Sequence, residues 1–208
     1  MNLNIENDYE RKLVNFMISE IRHLKDFNIL EFGVSGGIST KMFLELCNTN
    51  NGKLYSVDVD DYSNLFSDKN WKFIHCRDDN FQKVESSIPE KLDLIYLDSY
   101  HEPNHVQKIF MHYYPMLKTN GFYIIDDICW LPYVKKNYRD DFGSEIAHYN
   151  TFFKILNIYN SNFKNFDLDF TFVGSGLAKI SKKNNNKLNE PKVVISRNFT
   201  IKNFIRKI

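Results

Sequence analysis

Three aspartates follow two of the most apolar runs of this 208-residue chain. Asp98 ends the run LDLIYLD (92–98), and Asp126 and Asp127 end GFYIIDD (121–127). If the runs are neighbouring parallel strands, their carboxyl ends open on one crevice, where ligands bind. Converging carboxylates repel one another unless a cation neutralises them, and such hard oxygen ligands suit Mg²⁺. The spacing predicts a magnesium site. The alternatives are that Asp98 is a cofactor-side acid and that Asp127 caps the next helix.

A glycine-rich stretch follows the apolar run NILEFG (28–33). Its glycines permit a sharp turn and the close approach of a ligand, and the start of the following helix favours electronegative groups. The dinucleotide fingerprint is not met, because Ser35 and Ile38 occupy two of its glycine positions. Asp58 lies 21 residues beyond Gly37, at the end of the next apolar run, where a carboxylate accepts hydrogen bonds from a ribose diol. An ordinary strand-to-helix turn is the alternative.

The elements that must position these residues alternate along the chain. Periodicity predicts strands over 28–33, 53–61, 71–76, 92–98 and 121–127, a closing hairpin over 168–181, and helices over 8–24, from Ser39 as a capping residue, over 106–117 and over 145–160. This order predicts an α/β fold of Rossmann-like, doubly wound type. We expect a mostly parallel seven-stranded sheet with an antiparallel terminal hairpin.

The glycine stretch resembles the first motif of class I S-adenosylmethionine-dependent methyltransferases, through the spacing Glu31-x-Gly33-x-x-x-Gly37. The run LKTNG (117–121) and the closing hairpin resemble the same family, over about residues 10–181. The resemblance implies S-adenosylmethionine as cofactor, with Glu31 below its methionine part and Asp78 or Asp79 near its adenine amino group. The cofactor-binding residues that it implies are Glu31, Gly33, Ser35, Gly37, Asp58, Asp78 or Asp79, and Asp98.

The acidic trio Asp98, Asp126 and Asp127 resembles the Mg²⁺ site of catechol and antibiotic-sugar O-methyltransferases, and the pair Asp126-Asp127 matches the sugar type better. A cation there would lower the pKa of an acceptor hydroxyl and align its oxygen with the methyl group. Two adjacent hydroxyls chelate a cation well, which favours a vicinal diol as acceptor. The resemblance thus implies a sugar, or a sugar carrying a nucleotide, as the small-molecule substrate.

His101 lies in the stretch LDSYH (97–101), which resembles the family's D-G-x-H with Ser99 in place of glycine. An imidazole at the mouth of the crevice suits a general base, so the catalytic residues expected are His101 and Asp98. One alternative is that His101 is a surface or capping histidine. Another is that Asp98, His101 and His105 form a metal site. His148 is assigned a structural role.

Trp130 and Tyr133 follow the fifth predicted strand. The family builds its substrate pocket in this loop, and aromatic rings there stack on the face of a sugar. The alternative is that both rings close the end of the sheet.

Composition limits the remaining possibilities. Apolar residues make up 43% and charged residues 25% of the chain, which excludes wholesale disorder. No apolar stretch is long enough to cross a membrane, no leader is recognised, and three widely separated cysteines fit a reducing compartment, so we expect a cytoplasmic protein. We expect a domain over 1–181 with a helical cap over 1–27, a polar linker over 182–192 and a tail over 193–208.

The last 27 residues carry eight Lys/Arg and one Glu, a charge of +7, which leaves −6 for the rest of the chain. Ile201, Phe204, Ile205 and Ile208 form one apolar helical face. The tail is predicted to dock on its own domain, to join a homodimer or to contact a membrane surface. Because the body is acidic, nucleic acid is not an expected partner.

These observations predict an O-methyltransferase, with Mg²⁺ assisting. A non-catalytic scaffold with this fold is the first alternative, since fold does not fix function. A methyltransferase without a metal, in which His101 acts alone, is the second.

Overall fold

The computed structural model describes residues 8–129, 142–193 and 201–205. The strands are β1 (Asn28–Phe32), β2 (Lys53–Asp58), β3 (Trp71–His75), β4 (Leu92–Leu97), β5 (Leu117–Asp126), β6 (Phe166–Thr171) and β7 (Leu177–Lys182). The helices are α1 (Asp8–Leu13), α2 (Ser19–Ile21), α3 (Ile38–Asn50), α4 (Phe81–Glu85), α5 (Pro103–Tyr113), α6 (Phe142–Asn162) and α7 (Ile201–Ile205). A 3₁₀ turn (Tyr114–Met116) precedes β5.

The seven strands form one sheet in the order β3-β2-β1-β4-β5-β7-β6. β1 to β5 are parallel, and β7 is antiparallel to both β5 and β6. Strand order reverses between β1 and β4, so a crevice opens at the carboxyl ends of these two strands. The predicted fold class is confirmed, including the antiparallel closing hairpin.

Hydrophobic clusters cover both faces of the sheet, because successive strand residues point to opposite sides. Leu30 and Ile95 pack against α5, whereas Ile29 and Leu94 pack against the N-terminal helix and α3. Burial on both faces explains why these strands read as continuous apolar runs rather than alternating ones.

The N-terminal helical segment is not one regular helix as predicted over 8–24. A π-helical stretch (Val14–Ile18) separates α1 from α2. Leu13, Met17 and Ile21 are buried in the cluster beneath the sheet. This segment therefore lies against the sheet, and Lys12, the residue before Leu13, is buried with it.

Part of the predicted polar linker (182–192) makes hydrogen bonds to α6. The Asn189 N–H donates to Asn162 Oδ1 at 2.7 Å, and Asn162 Nδ2 donates to the Asn189 carbonyl at 3.0 Å. The Lys192 N–H also donates to the Ser161 hydroxyl at 2.8 Å. These bonds dock the segment on the end of α6. The domain division at 181 stays a prediction.

Candidate active site

The glycine turn after β1 brings the chain against the end of β4. Gly33 has φ +92°, and a Cβ there would lie 1.9 Å from the Asp98 carbonyl oxygen. The Gly33 N–H donates to the Val57 carbonyl at 2.9 Å, and the Asp98 N–H donates to the Phe32 carbonyl at 2.9 Å. Only glycine allows this approach, so the turn fixes Asp98 beside the crevice.

Asp58 holds the other side of the turn. Its Oδ2 accepts from the Val34 N–H at 2.7 Å and from the Ser35 N–H at 3.4 Å, and its Oδ1 accepts from the Asp60 N–H at 3.0 Å. Ser35 has φ +45°, and Gly37, with φ +75°, is the N-cap of α3. The loop is thus shaped by three residues of positive φ, Gly33, Ser35 and Gly37, and by one carboxylate.

A cavity of about 360 Å³ lies between these elements. Its lining residues are Gly33, Ser35, Val57, Asp58, Val59, Asp60, Tyr62, Cys76, Arg77, Asp78, Asp98, Ser99 and Tyr100. Gly33, Ser35, Asp58, Asp78 and Asp98 were predicted to bind the cofactor; Glu31, Gly37 and Asp79 are not among its lining residues. The volume is in the range of roughly 300–1,000 Å³ that small-ligand sites occupy.

Glu31 is fully buried rather than exposed to the cavity. Its carboxylate accepts from the hydroxyls of Ser39 at 2.7 Å, Thr40 at 2.8 Å and Ser56 at 2.6 Å. Burial raises the pKa of Glu31 to about 7, although these hydrogen bonds lower it. Glu31 therefore ties α3 to the sheet, and Ser39 serves this bond instead of capping the helix.

The two acids after β3 have different surroundings. Asp78 is buried, accepts from the Ser99 hydroxyl at 2.6 Å and lies 2.8 Å from His105 Nε2. The Asp79 carboxylate accepts from Arg77 Nε at 3.0 Å and from Lys108 Nζ at 3.1 Å. These hydrogen bonds, that of Arg77 above all, lower the pKa of Asp79 to about 2. Of the two, only Asp78 lines the cavity.

His105 is therefore engaged with Asp78. The alternative metal site of Asp98, His101 and His105 does not form, because the His105 imidazole is directed towards Asp78.

A second centre adjoins the cavity at Asp98. The His101 Nε2 lies 3.6 Å from Asp98 Oδ1 and 3.4 Å from Asp127 Oδ2. One ligand atom from each of these three residues lies within 4.8 Å of the other two. Burial lowers the pKa of His101, although the Asp127 and Asp126 charges oppose that effect.

Asp127 adopts φ +59°, a left-handed conformation that few non-glycine residues take. Burial alone would raise the pKa of Asp127, but a hydrogen bond to His148 and the neighbouring His101 and Ser175 together hold it well below its usual range. The Asp127 carboxylate is thus ionised, and both imidazoles lie within reach of it.

Asp126 does not join this centre as predicted. It is buried, forms an ion pair with Lys12, and accepts from the Tyr96 hydroxyl at 2.5 Å and the Asp127 N–H at 2.6 Å. Asp126 is the last residue of β5, and the left-handed φ of Asp127 turns the chain there, so the two side chains have different partners. The structure brings together Asp98 and Asp127, with His101 instead of Asp126 as their companion.

Sequence reasoning missed two residues near this centre, His148 and Lys12. His148 was assigned a structural role, yet its Nε2 lies 3.5 Å from Asp127 Oδ2 while its Nδ1 lies 3.1 Å from the Cys129 carbonyl. No short-range signal marks either residue, since each reaches the centre from a distant helix. Trp130 and Tyr133, the predicted substrate residues, lie outside the described residues.

Comparison with known proteins agrees with this geometry. Residues 30–128, which hold the glycine turn, both predicted acids after β3 and the acidic centre, match the family model described as "Methyltransferase domain". Residues 30–128 thus resemble a methyltransferase domain. A search of curated protein sequences gave no match.

Solved structures share the fold of the methyltransferase domain. MycE from the mycinamycin biosynthetic pathway, in complex with Mg, SAH and mycinamycin VI, superposes with a TM-score of 0.59 at 20% identity, over 88% of this chain and 50% of MycE. A candidate caffeoyl-CoA O-methyltransferase from Staphylococcus aureus gives 0.63 at 17% identity, over 86% of each chain. An SAH-bound methyltransferase from Podospora anserina gives 0.63 at 16%, over 81% of this chain and 77% of that one.

The resemblance to class I methyltransferases, predicted from the glycine turn, is confirmed. This chain spans about half the length of MycE. Within the described residues, the structure has no helix with the length and apolar character that crossing a membrane requires.

Proposed function

We propose that this chain transfers a methyl group from S-adenosylmethionine to a hydroxyl group of a small molecule, assisted by a divalent cation. One observation carries the proposal: Asp98 belongs to both halves of the site. Its backbone closes the cavity against Gly33, and its carboxylate lies in the centre with His101 and Asp127. A donor in the cavity and an acceptor at the centre would therefore meet at Asp98.

The cavity residues fit the cofactor. The carboxylate of Asp58 lines the cavity and has lone pairs left for ribose hydroxyls beyond the backbone bonds that it accepts. Asp78 also lines the cavity and accepts hydrogen bonds, as an adenine amino group requires. Bound S-adenosylmethionine supplies an electrophilic methyl group on a sulfonium.

The centre fits a hard divalent cation. Two carboxylates, Asp98 and Asp127, offer oxygen ligands within one short span, and Mg²⁺ prefers such ligands together with water or substrate oxygens. A cation held there would lower the pKa of an acceptor hydroxyl. Asp126 was predicted as a further ligand; its ion pair with Lys12 argues against that role.

His101 is the residue that we propose as general base. Its Nε2 lies beside both carboxylates, and burial favours its neutral form, which accepts a proton. As the acceptor oxygen forms its bond to the methyl carbon, the carbon–sulfur bond breaks and its electron pair goes to sulfur. The hydroxyl proton passes to His101.

A vicinal diol, as in a sugar, is the acceptor that we propose. Two adjacent hydroxyls would chelate a cation whose coordination sphere the protein fills only in part. MycE forms a complex with Mg, SAH and mycinamycin VI, which supports a small-molecule acceptor here. Trp130 and Tyr133 stay our candidates for contact with the ring.

We also propose a role for the basic tail in association, either with a second copy or with a membrane surface. Ile201 and Ile205 of α7 are exposed, so their apolar face is available. The three widely separated cysteines support a reducing, cytoplasmic location. No nucleic-acid contact is proposed, because the body of the chain is acidic.

Transfer of tritium from methyl-labelled S-adenosylmethionine to catechol and to a panel of diol sugars tests the proposal. We expect transfer that needs Mg²⁺ and stops with EDTA. Transfer that survives EDTA would favour His101 acting without a metal. Absence of transfer together with absence of cofactor binding, in folded protein, would favour the scaffold alternative.

A further inference from the structure

Lys12 is a lysine buried in the protein interior close to the proposed active site. Its Nζ donates to the Asp126 carboxylate and to the Ser175 hydroxyl. A buried charge is tolerated when a counter-charge and hydrogen bonds compensate its lost hydration. The N-terminal helix α1 thus places a cation at the carboxyl end of β5, more than a hundred residues away in sequence.

Asp126, the partner of Lys12, is linked to Asp98 through Tyr96 and bonds directly to the backbone of Asp127. The Tyr96 hydroxyl lies 2.5 Å from Asp126 Oδ2 and 3.2 Å from Asp98 Oδ2, so it bridges these two side chains. The Asp127 N–H donates to Asp126 Oδ1 at 2.6 Å, next to the left-handed φ of Asp127. Asp126 is therefore placed to orient Asp98 through Tyr96 and Asp127 through its backbone.

We propose that Lys12 and Asp126 form a buried ion pair that positions the two cation ligands and keeps Asp126 out of the ligand set. Asp126 is then the positioning residue, through Tyr96 and the Asp127 N–H, and Lys12 on the N-terminal helix compensates its charge. This inference rests on the cation site proposed above. It differs from the expectation of three carboxylate ligands, because one of the three is satisfied internally.

The charge at the centre supports this division. Asp98 and Asp127 together carry two negative charges, which one divalent cation balances. A third uncompensated carboxylate beside them would add repulsion in the absence of a cation. Lys12 cancels that third charge while leaving the Asp126 oxygens available to Tyr96 and Asp127.

A purely structural role would be to attach the N-terminal helix to the sheet. Lys179 offers a matched control for that role, since it lies on β7 and its Nζ donates to Glu20 of α2 at 3.1 Å. It joins the same helical segment to the same hairpin. Its ion-pair partners Glu20 and Asp169 are not residues of the centre.

Binding of Mn²⁺, followed by electron paramagnetic resonance, tests the inference in wild type, D126N, the double variant K12M/D126N and K179M. In D126N the Lys12 charge is left beside the cation without its counter-charge. We expect Mn²⁺ affinity to fall by about tenfold or more, in line with the loss of an outer partner of a metal ligand. We expect the double variant, a neutral pair of similar shape, to bind within about threefold of wild type, and K179M likewise.

Circular dichroism and thermal melting establish that each variant is folded. If D126N does not fold, the double variant carries the test alone, and binding within about threefold of wild type supports the inference. Loss of more than about tenfold in the double variant would identify Asp126 as a ligand and overturn it. Unchanged affinity in D126N would also overturn it. A wild-type chain that binds no Mn²⁺ would remove the cation site itself, a failure distinct from these.

Discussion

The Asp98 carbonyl oxygen occupies the space where a side chain of Gly33 would begin. A Cβ at Gly33 would lie 1.9 Å from that oxygen, and φ at Gly33 is +92°. The carboxylate of the same Asp98 lies 3.6 Å from His101 Nε2. One glycine therefore holds the cofactor cavity and the acidic centre in a fixed relation.

Gly33→Ala would force the turn away from Asp98 and distort the cavity. We expect the affinity for S-adenosylhomocysteine to fall by about tenfold or more, since overpacking of this kind costs roughly 1–3 kcal/mol. Isothermal titration calorimetry measures the change. Gly36→Ala is the control, because a Cβ there has no neighbour within 4 Å. Equal affinities for both variants would contradict the role given to Gly33.

Asp127→Asn would remove a proposed cation ligand without touching the cofactor cavity, since Asp127 is not among its lining residues. We expect methyl transfer to fall by about 100-fold or more, while affinity for S-adenosylhomocysteine stays within about twofold. Asp79→Asn, which breaks only the ion pairs with Arg77 and Lys108, is the control. A D127N enzyme with wild-type turnover would exclude Asp127 from the chemistry.

His101→Asn would remove the proposed base and keep a polar side chain of similar reach. We expect kcat to fall by roughly 10²–10⁴-fold with little change in cofactor affinity, as is usual for loss of a general base. His112→Asn serves as the comparison, because His112 pairs with Glu85 away from the cavity. If H101N retained full turnover, proton acceptance would have to be assigned elsewhere.

Glu31 makes stability depend on pH. Its pKa is about 7 in the folded state, against 4.5 for a glutamate in the unfolded chain. The folded chain therefore binds the proton more tightly. Its contribution is fully present below pH 4.5 and is lost as pH rises through 7. Relative to Glu31→Gln, wild type should lose roughly 2–3 kcal/mol of unfolding free energy between pH 5 and pH 8.

Urea unfolding of both proteins at the two pH values measures this difference. Glu85→Gln, at an exposed position, is the matched control and should follow wild type. A difference between wild type and E31Q that does not change with pH would show that Glu31 is ionised at no cost in the folded state.

The fold was predictable because its information is local. Buried parallel strands such as LDLIYLD are apolar throughout, and the turn at Gly33 demands a residue without a Cβ. Asp58 and Asp98 were placed correctly at the cavity, since each ends a strand beside the point where strand order reverses. Strand ends and glycine turns are visible in sequence.

The partition of the acidic trio was not predictable, because it depends on pairings across the fold. Asp127 joins the centre because β5 ends at Asp126 and because Asp127 itself adopts a left-handed φ. Lys12, on a helix more than a hundred residues earlier in the chain, pairs with Asp126. Docking of segment 183–192 similarly depends on Asn162, which no composition rule identifies.

Calorimetric titration of S-adenosylhomocysteine into EDTA-treated protein tests the central claim most directly, because it requires neither the acceptor nor the cation. We predict saturable binding with one site per chain, weakened in Gly33→Ala and retained in Gly36→Ala. Absence of binding in protein shown to be folded would contradict the assignment of the cavity to this cofactor, and with it the proposed methyl transfer.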